Sequence, residues 1–171
     1  MKALRSALLT FLSLTVACSA AIWSSSDYHC EINLPDGLPH TSEHWTTAGS
    51  TEEGTLVGSR QVDGTGYIFL GYVDLSKRSN FHLNEKTIPE LEKRFLTDTT
   101  HHSVERIVVN GLPGLRVTGS RVYFGNHFAL VIDMYEANNL IYQIVGMKQQ
   151  SDSPLKDPNI RFCLNSFRLR K

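Results

Sequence analysis

Beyond residue 30 the chain alternates apolar and polar residues with a period of two over much of its length, the mark of β-strands with two distinct faces. Cys30-Glu31-Ile32-Asn33-Leu34 alternates and is stopped by Pro35-Asp36-Gly37, a turn sequence. The alternation returns from Leu56 to Val62 and from Tyr67 to Leu75 around Asp63-Gly64-Thr65-Gly66, which predicts a hairpin. In its second strand Tyr67, Phe69, Val73 and Leu75 share one face, and Ile68, Leu70 and Tyr72 share the other. Two apolar faces require a cover on each side of the sheet. Further strands are expected over 104–109 and from Leu115, with Asn110-Gly111-Leu112-Pro113-Gly114 turning between them. The clearest hairpin carries Phe128, Leu130, Ile132 and Met134 outward and Leu140, Tyr142 and Ile144 back, around Glu136-Ala137-Asn138-Asn139. Its intervening positions Val131, Ile141, Val145 and Met147 are apolar as well, as in central strands.

Two segments change the period from two to 3.6. Thr87-Ile88-Pro89-Glu90 has the form of a capping box, and Ile88, Leu91, Phe95 and Leu96 place one apolar stripe on a helix running to about Thr99. Asp157-Pro158 supplies an N-cap and a proline in the first turn of a second helix, on which Ile160, Cys163, Leu164 and Phe167 share one face. The predicted architecture is α+β: one antiparallel sheet of about six to seven strands with helices on both faces, an α/β/α sandwich in one domain over 30–171.

The first twenty residues fall outside this pattern. A short basic start (Lys2, Arg5), an apolar run from Ala7 to Ala17 and the small residues Ser19 and Ala20 predict a signal peptide over 1–20. The run is shorter than the roughly 20 residues a membrane-spanning helix needs. Thr15-Val16-Ala17-Cys18 resembles a bacterial lipobox, with Cys18 acylated and residues 21–29 in a tether. Thr15 stands where an aliphatic residue is usual, so cleavage near Ala20 is the competing reading. Export places the domain in a secreted or periplasmic setting, with the membrane reached only through the lipid of an anchored form.

Composition narrows the function. The chain has 171 residues, 17 Lys and Arg against 17 Asp and Glu, 41% hydrophobic and 20% charged. These figures suit one globular domain and exclude collagen, coiled coil and disordered classes. Loss of Lys2 and Arg5 with the leader makes the remainder slightly acidic, without the basic footprint of a nucleic-acid binder. With Cys18 in the leader, Cys30 and Cys163 remain, and an even pair in an exported protein predicts one disulfide closing almost the whole domain. Two separate buried thiols are the alternative.

The order of elements, with Ile32-Asn33-Leu34-Pro35 leading to Trp45, Val109-Asn110-Gly111-Leu112-Pro113-Gly114 midway and Leu164-Asn165-Ser166-Phe167-Arg168 at the close, looks like the PsbP-like superfamily. Its members are mostly non-catalytic: photosystem extrinsic subunits, a Ran-binding nuclear factor, and exported bacterial proteins and lipoproteins. The resemblance implies a binding or accessory module and leaves the partner, a protein or a small ligand, open.

Three constellations could carry chemistry. His40-Thr41-Ser42-Glu43-His44 matches the H-x-x-E-H pattern. On a helix, His40 and His44 would chelate zinc from one face while Glu43 acted as general base, which gives a small zinc hydrolase as the alternative function. The turn-rich context instead favours a solvated loop without metal or other cofactor. His101-His102 is expected at the end of the first helix, meeting its last carbonyls. Arg60, Arg106, Arg116 and Arg121 fall on predicted strands and would form an anion pocket if they converged; pairing with Asp and Glu across strands is the simpler expectation. No G-x-S-x-G elbow, Walker loop, dinucleotide fingerprint or C-x-x-C occurs. The sequence therefore points to an exported non-catalytic binding domain.

Overall fold

A computed structural model describes residues 20–26, 28–35, 40–46, 53–60, 65–74, 81–89, 99–123, 125–149 and 151–171. The described strands are β1 (Ala20–Ser25), β2 (Cys30–Pro35), β3 (His40–Thr46), β4 (Glu53–Arg60), β5 (Gly66–Asp74), β6 (Thr99–Val109), β7 (Leu112–Tyr123), β8 (Asn126–Ala137), β9 (Leu140–Gln149) and β10 (Arg168–Leu169). A 3-10 turn (Pro154–Lys156) precedes helix α1 (Pro158–Ser166). For β3 and β4 the description covers the backbone alone.

The strands build two antiparallel sheets, a seven-stranded one in the order β3-β4-β5-β9-β8-β7-β6 and a three-stranded one in the order β1-β2-β10. Strands β8 and β9 sit inside the large sheet, and their apolar positions are buried on both faces. One face packs Ile68, Leu70, Val131, Tyr135, Tyr142 and Ile144 against α1 (Ile160, Cys163, Leu164), Phe167 and β2 (Cys30, Ile32, Leu34). The other gathers Leu115, Val117, Leu130, Ile132, Val145 and Met147 under Phe81, Leu83 and Ile88.

Local chemistry fixes the hairpins. Asn138 and Asn139 have φ of 54° and 58°, and Asn110 and Gly111 have 52° and 80°. Two successive left-handed residues form the tight turn whose twist suits antiparallel strands, and asparagine and glycine tolerate that region best. The Asn110 amide then donates to the carbonyls of Asn165 and Phe167 at 3.0 and 2.9 Å, tying the β6–β7 turn to the end of α1. That helix starts as the sequence requires: the Asp157 carboxylate accepts from the N–H groups of Asn159 and Ile160, and Pro158 follows. Lys148 of β9 reaches the same carboxylate at 3.1 Å, fastening the helix start to the sheet. Gly146 permits the close approach, since a Cβ there would collide with Ile160.

Several expectations are corrected. The α/β/α layering is replaced on one face by α1 and the small sheet together; on the other, Ile88 and Pro89 are helical, and residues 90–98, with most of the predicted stripe, lie outside the described residues. The Thr87 hydroxyl also bonds within the preceding turn, accepting from Asn84 N–H at 3.0 Å and meeting the His82 and Asn84 carbonyls, while Glu90, its expected capping partner, lies outside the described residues. Much of the expected tether over 21–29 is strand β1, which pairs with β2 from Ala20 opposite Pro35 to Ser25 opposite Cys30. His101 and His102 belong to β6 and are no helix cap; the β6–β7 register slips between His101 and Ser103.

No disulfide joins Cys30 and Cys163. Both are buried thiols in the core beneath α1, where they pack as small apolar groups. Parity and compartment argued for the bridge, but neither fixes the geometry that a bridge needs.

Candidate functional site

The backbone settles two of the sequence candidates. His40, Glu43 and His44 lie on strand β3, paired with Ser59, Leu56 and Thr55 of β4. Four residues of strand separate the two histidine positions by about 13 Å, against one helical turn in the zinc motif. Glu43 occupies the opposite face. The helical chelate is therefore not formed, and among the described residues no three His, Cys, Asp or Glu side chains gather as metal ligands would.

The arginines do not converge. Arg106 is opposite Leu115, and Arg116 is opposite both Glu105 and Asp133. Cross-strand partners share a face, so Arg106 and Arg116 project on opposite sides of the sheet. Arg60 of β4, opposite Tyr67 of β5, is four strand positions from β7, roughly 19 Å at standard spacing. Arg121, on β7 opposite Thr99 and Phe128, shares the face of Arg106, toward the far end of the strand.

Arg116 has a structural partner instead. Its Nε and Nη2 donate to the two oxygens of Asp133 at 2.6 and 2.7 Å, a bidentate pair. Asp133 is fully buried. Burial pushes its carboxyl up, the Arg116 bonds oppose that rise, and the carboxylate in turn raises the guanidinium. The Tyr135 hydroxyl stands 3.5 Å from the same carboxylate, and its ring stacks on Phe167 with centroids 5.1 Å apart. That ring also lies over Gly114, where a Cβ would come within 2.6 Å of it. This polar centre is closed on itself by internal bonds. Asp133 stands between Ile132 and Met134 in the otherwise apolar run 128–134, and that interruption was the signal for it.

The open feature is on the other face, at the turn end of the large sheet. A groove of about 650 Å³ runs between the Leu83–Glu85 segment, the ends of β6 and β7, and the β8–β9 turn. Glu136 fixes one wall, accepting from the Leu83 N–H at 2.6 Å and meeting His82 Nδ1 at 3.0 Å. Arg106, Val108, Pro113 and Leu115 line the β6–β7 side, and the Arg106 Nε donates to Glu85 at 3.2 Å. Val108 is 70% exposed, a large apolar side chain left to solvent beside a cation. Such a combination suits recognition: apolar surface supplies affinity and a few polar groups supply orientation. Sequence reading singled out Arg106 but not Val108, Glu136 or the 83–85 wall, because their meeting depends on strand register.

Among the described residues, no helix is long and apolar enough to cross a membrane. No protein-family model and no curated protein matches the sequence. Among solved structures, a Pseudomonas aeruginosa protein of unknown function aligns at a TM-score of 0.48 with 13% identity, over 89% of this chain and 98% of that one. LpqN of Mycobacterium tuberculosis, involved in cell envelope biogenesis, aligns at 0.45 with 8% identity, over 90% and 91%. The cyanobacterial PsbP protein (CyanoP) of Synechocystis aligns at 0.61 with 10% identity, over 94% of this chain and 98% of that chain. With that overlap across nearly the whole length of both chains, the chain has a PsbP-like fold.

Proposed function

We propose that this protein is an exported, non-catalytic binding or accessory domain of the bacterial envelope or extracellular space, and that it engages a protein or small ligand at the groove end of its large sheet. The observation that carries the reading is the groove, where Val108 stands exposed beside the Arg106–Glu85 pair. The buried charges support it from the other side, since Arg116 and Asp133 are committed to each other. The leader-like residues 1–20 support export, with Cys18 acylation and cleavage near Ala20 as its two routes. The superfamily resemblance, to mostly non-catalytic proteins, supports the accessory role.

Expression of the full chain in a bacterium, followed by cell fractionation and mass spectrometry of its N-terminus, tests the reading. The expected product is extracytoplasmic and starts either at an acylated Cys18 or near Ala20. An unprocessed chain confined to the cytosol refutes it.

A further inference from the structure

Strand β6 ends the order of the large sheet, and among the described residues β7 is its one strand neighbour. An antiparallel strand with a single neighbour leaves every second residue's N–H and C=O directed outward. The irregularity between His101 and Ser103 bounds the regular run to 103–109. Along that run Val104, Arg106 and Val108 face the groove side, while Ser103, Glu105 and Ile107 face the other. Arg106 is 85% exposed, and among the described residues its guanidinium bonds through Nε to Glu85.

We propose that the outer edge of β6 is a strand-addition site for an extended segment of a partner protein. That segment carries an acidic residue flanked at two-residue spacing by apolar ones, and it continues the sheet as an eighth strand. The inference rests on the binding-module reading above. Backbone groups of the added strand satisfy the outward groups of β6; its acid lies opposite Arg106, displacing Glu85; its apolar residues lie against Val104 and Val108 at the mouth of the groove. A basic residue on its other face meets Glu105. A second copy of this chain fits poorly, because symmetric pairing over the whole of 103–109 puts the middle residue, Arg106, opposite its own copy.

The test uses a capped heptapeptide, Thr-Val-Thr-Glu-Lys-Val-Thr, and a second with Lys in place of Glu, titrated into the isotope-labelled protein while amide shifts are recorded. The expected result is saturable shifts at 103–109 and 83–85 with the Glu peptide and about tenfold weaker binding of the Lys peptide. Arg106→Glu, at an exposed site whose folding the same spectra report, should reverse the preference. Absence of saturable shifts, shifts confined to other strands, or indifference to the exchanged charge would overturn the proposal. So would a chain that doubles its mass with concentration while the same β6 amides shift. None of these outcomes alters the fractionation result, so failure of the site and failure of the exported-module reading are separable.

Discussion

Replacing Arg116 by leucine tests whether the polar centre is held as tightly as its geometry says. The substitution removes both bonds to Asp133, at 2.6 and 2.7 Å, and leaves a carboxylate with no exposed surface to take up a proton or stay charged without its cation, the Tyr135 hydroxyl at 3.5 Å remaining beside it. Breaking one half of a buried ion pair costs about 3–5 kcal/mol. For a domain of this size, urea unfolding has a slope of about 1–3 kcal/mol per molar, so the midpoint should fall by roughly 2 M with the slope unchanged. Arg116→Leu with Asp133→Leu removes both charges, and that double variant should recover to within about 1 kcal/mol of the parent. The two single changes and the double form a cycle whose coupling should exceed about 2 kcal/mol in favour of the pair. A loss under about 1 kcal/mol in Arg116→Leu, or a double variant as unstable as the sum of the singles, would refute the claim that the pair is desolvated and mutually dependent.

Gly146→Ala should destabilise by about 1–3 kcal/mol and move α1 off the sheet, because the added methyl collides with Ile160; near-ultraviolet dichroism and urea midpoints check it. Asp157→Ala, which removes the cap of α1 and the partner of Lys148, should cost about 1–2 kcal/mol by the same unfolding assay, and Asp157→Asn should cost less because it keeps the cap. Alkylation read by peptide mass should leave Cys30 and Cys163 unmodified in the native protein and label both after denaturation without reductant; a reductant requirement would restore the disulfide. Burial pushes the Cys30 thiol from 9.0 up to about 12, so the stability it contributes is fully present below pH 9 and is lost as the pH rises through 12. Cys30→Val, measured by urea midpoints across that interval, should flatten the alkaline loss.

What the sequence revealed follows from the range of the forces involved. Helix α1 was legible because its cap, its proline and its apolar stripe lie within ten residues of one another. The β8–β9 hairpin was legible for the same reason, down to the asparagine pair at its turn. Strand β1 was hidden: Ala20-Ala21-Ile22-Trp23-Ser24-Ser25 does not alternate strongly and follows directly on a leader pattern, so only its pairing with β2 marks it as a strand. The H-x-x-E-H segment matched a helical chelate, and nothing local shows that β4 recruits it into a sheet. The arginine pocket failed on distance for Arg60 and on parity for Arg106 and Arg116. A two-residue turn at Asn110-Gly111 sets Val109 opposite Leu112, so from Ser103 onward even-numbered residues of β6 share a face with odd-numbered residues of β7. Arg106 and Arg116 were separated by that rule alone, and a hairpin reading with the register drawn out would have found it.

Because strand β1 starts at Ala20, a lipid on Cys18 would sit two residue steps from the fold, a reach of at most about 7 Å. Such a leash forbids wandering: an acylated chain would lie flush with the bilayer, its small sheet toward the headgroups, and could scan for partners only by sliding in two dimensions.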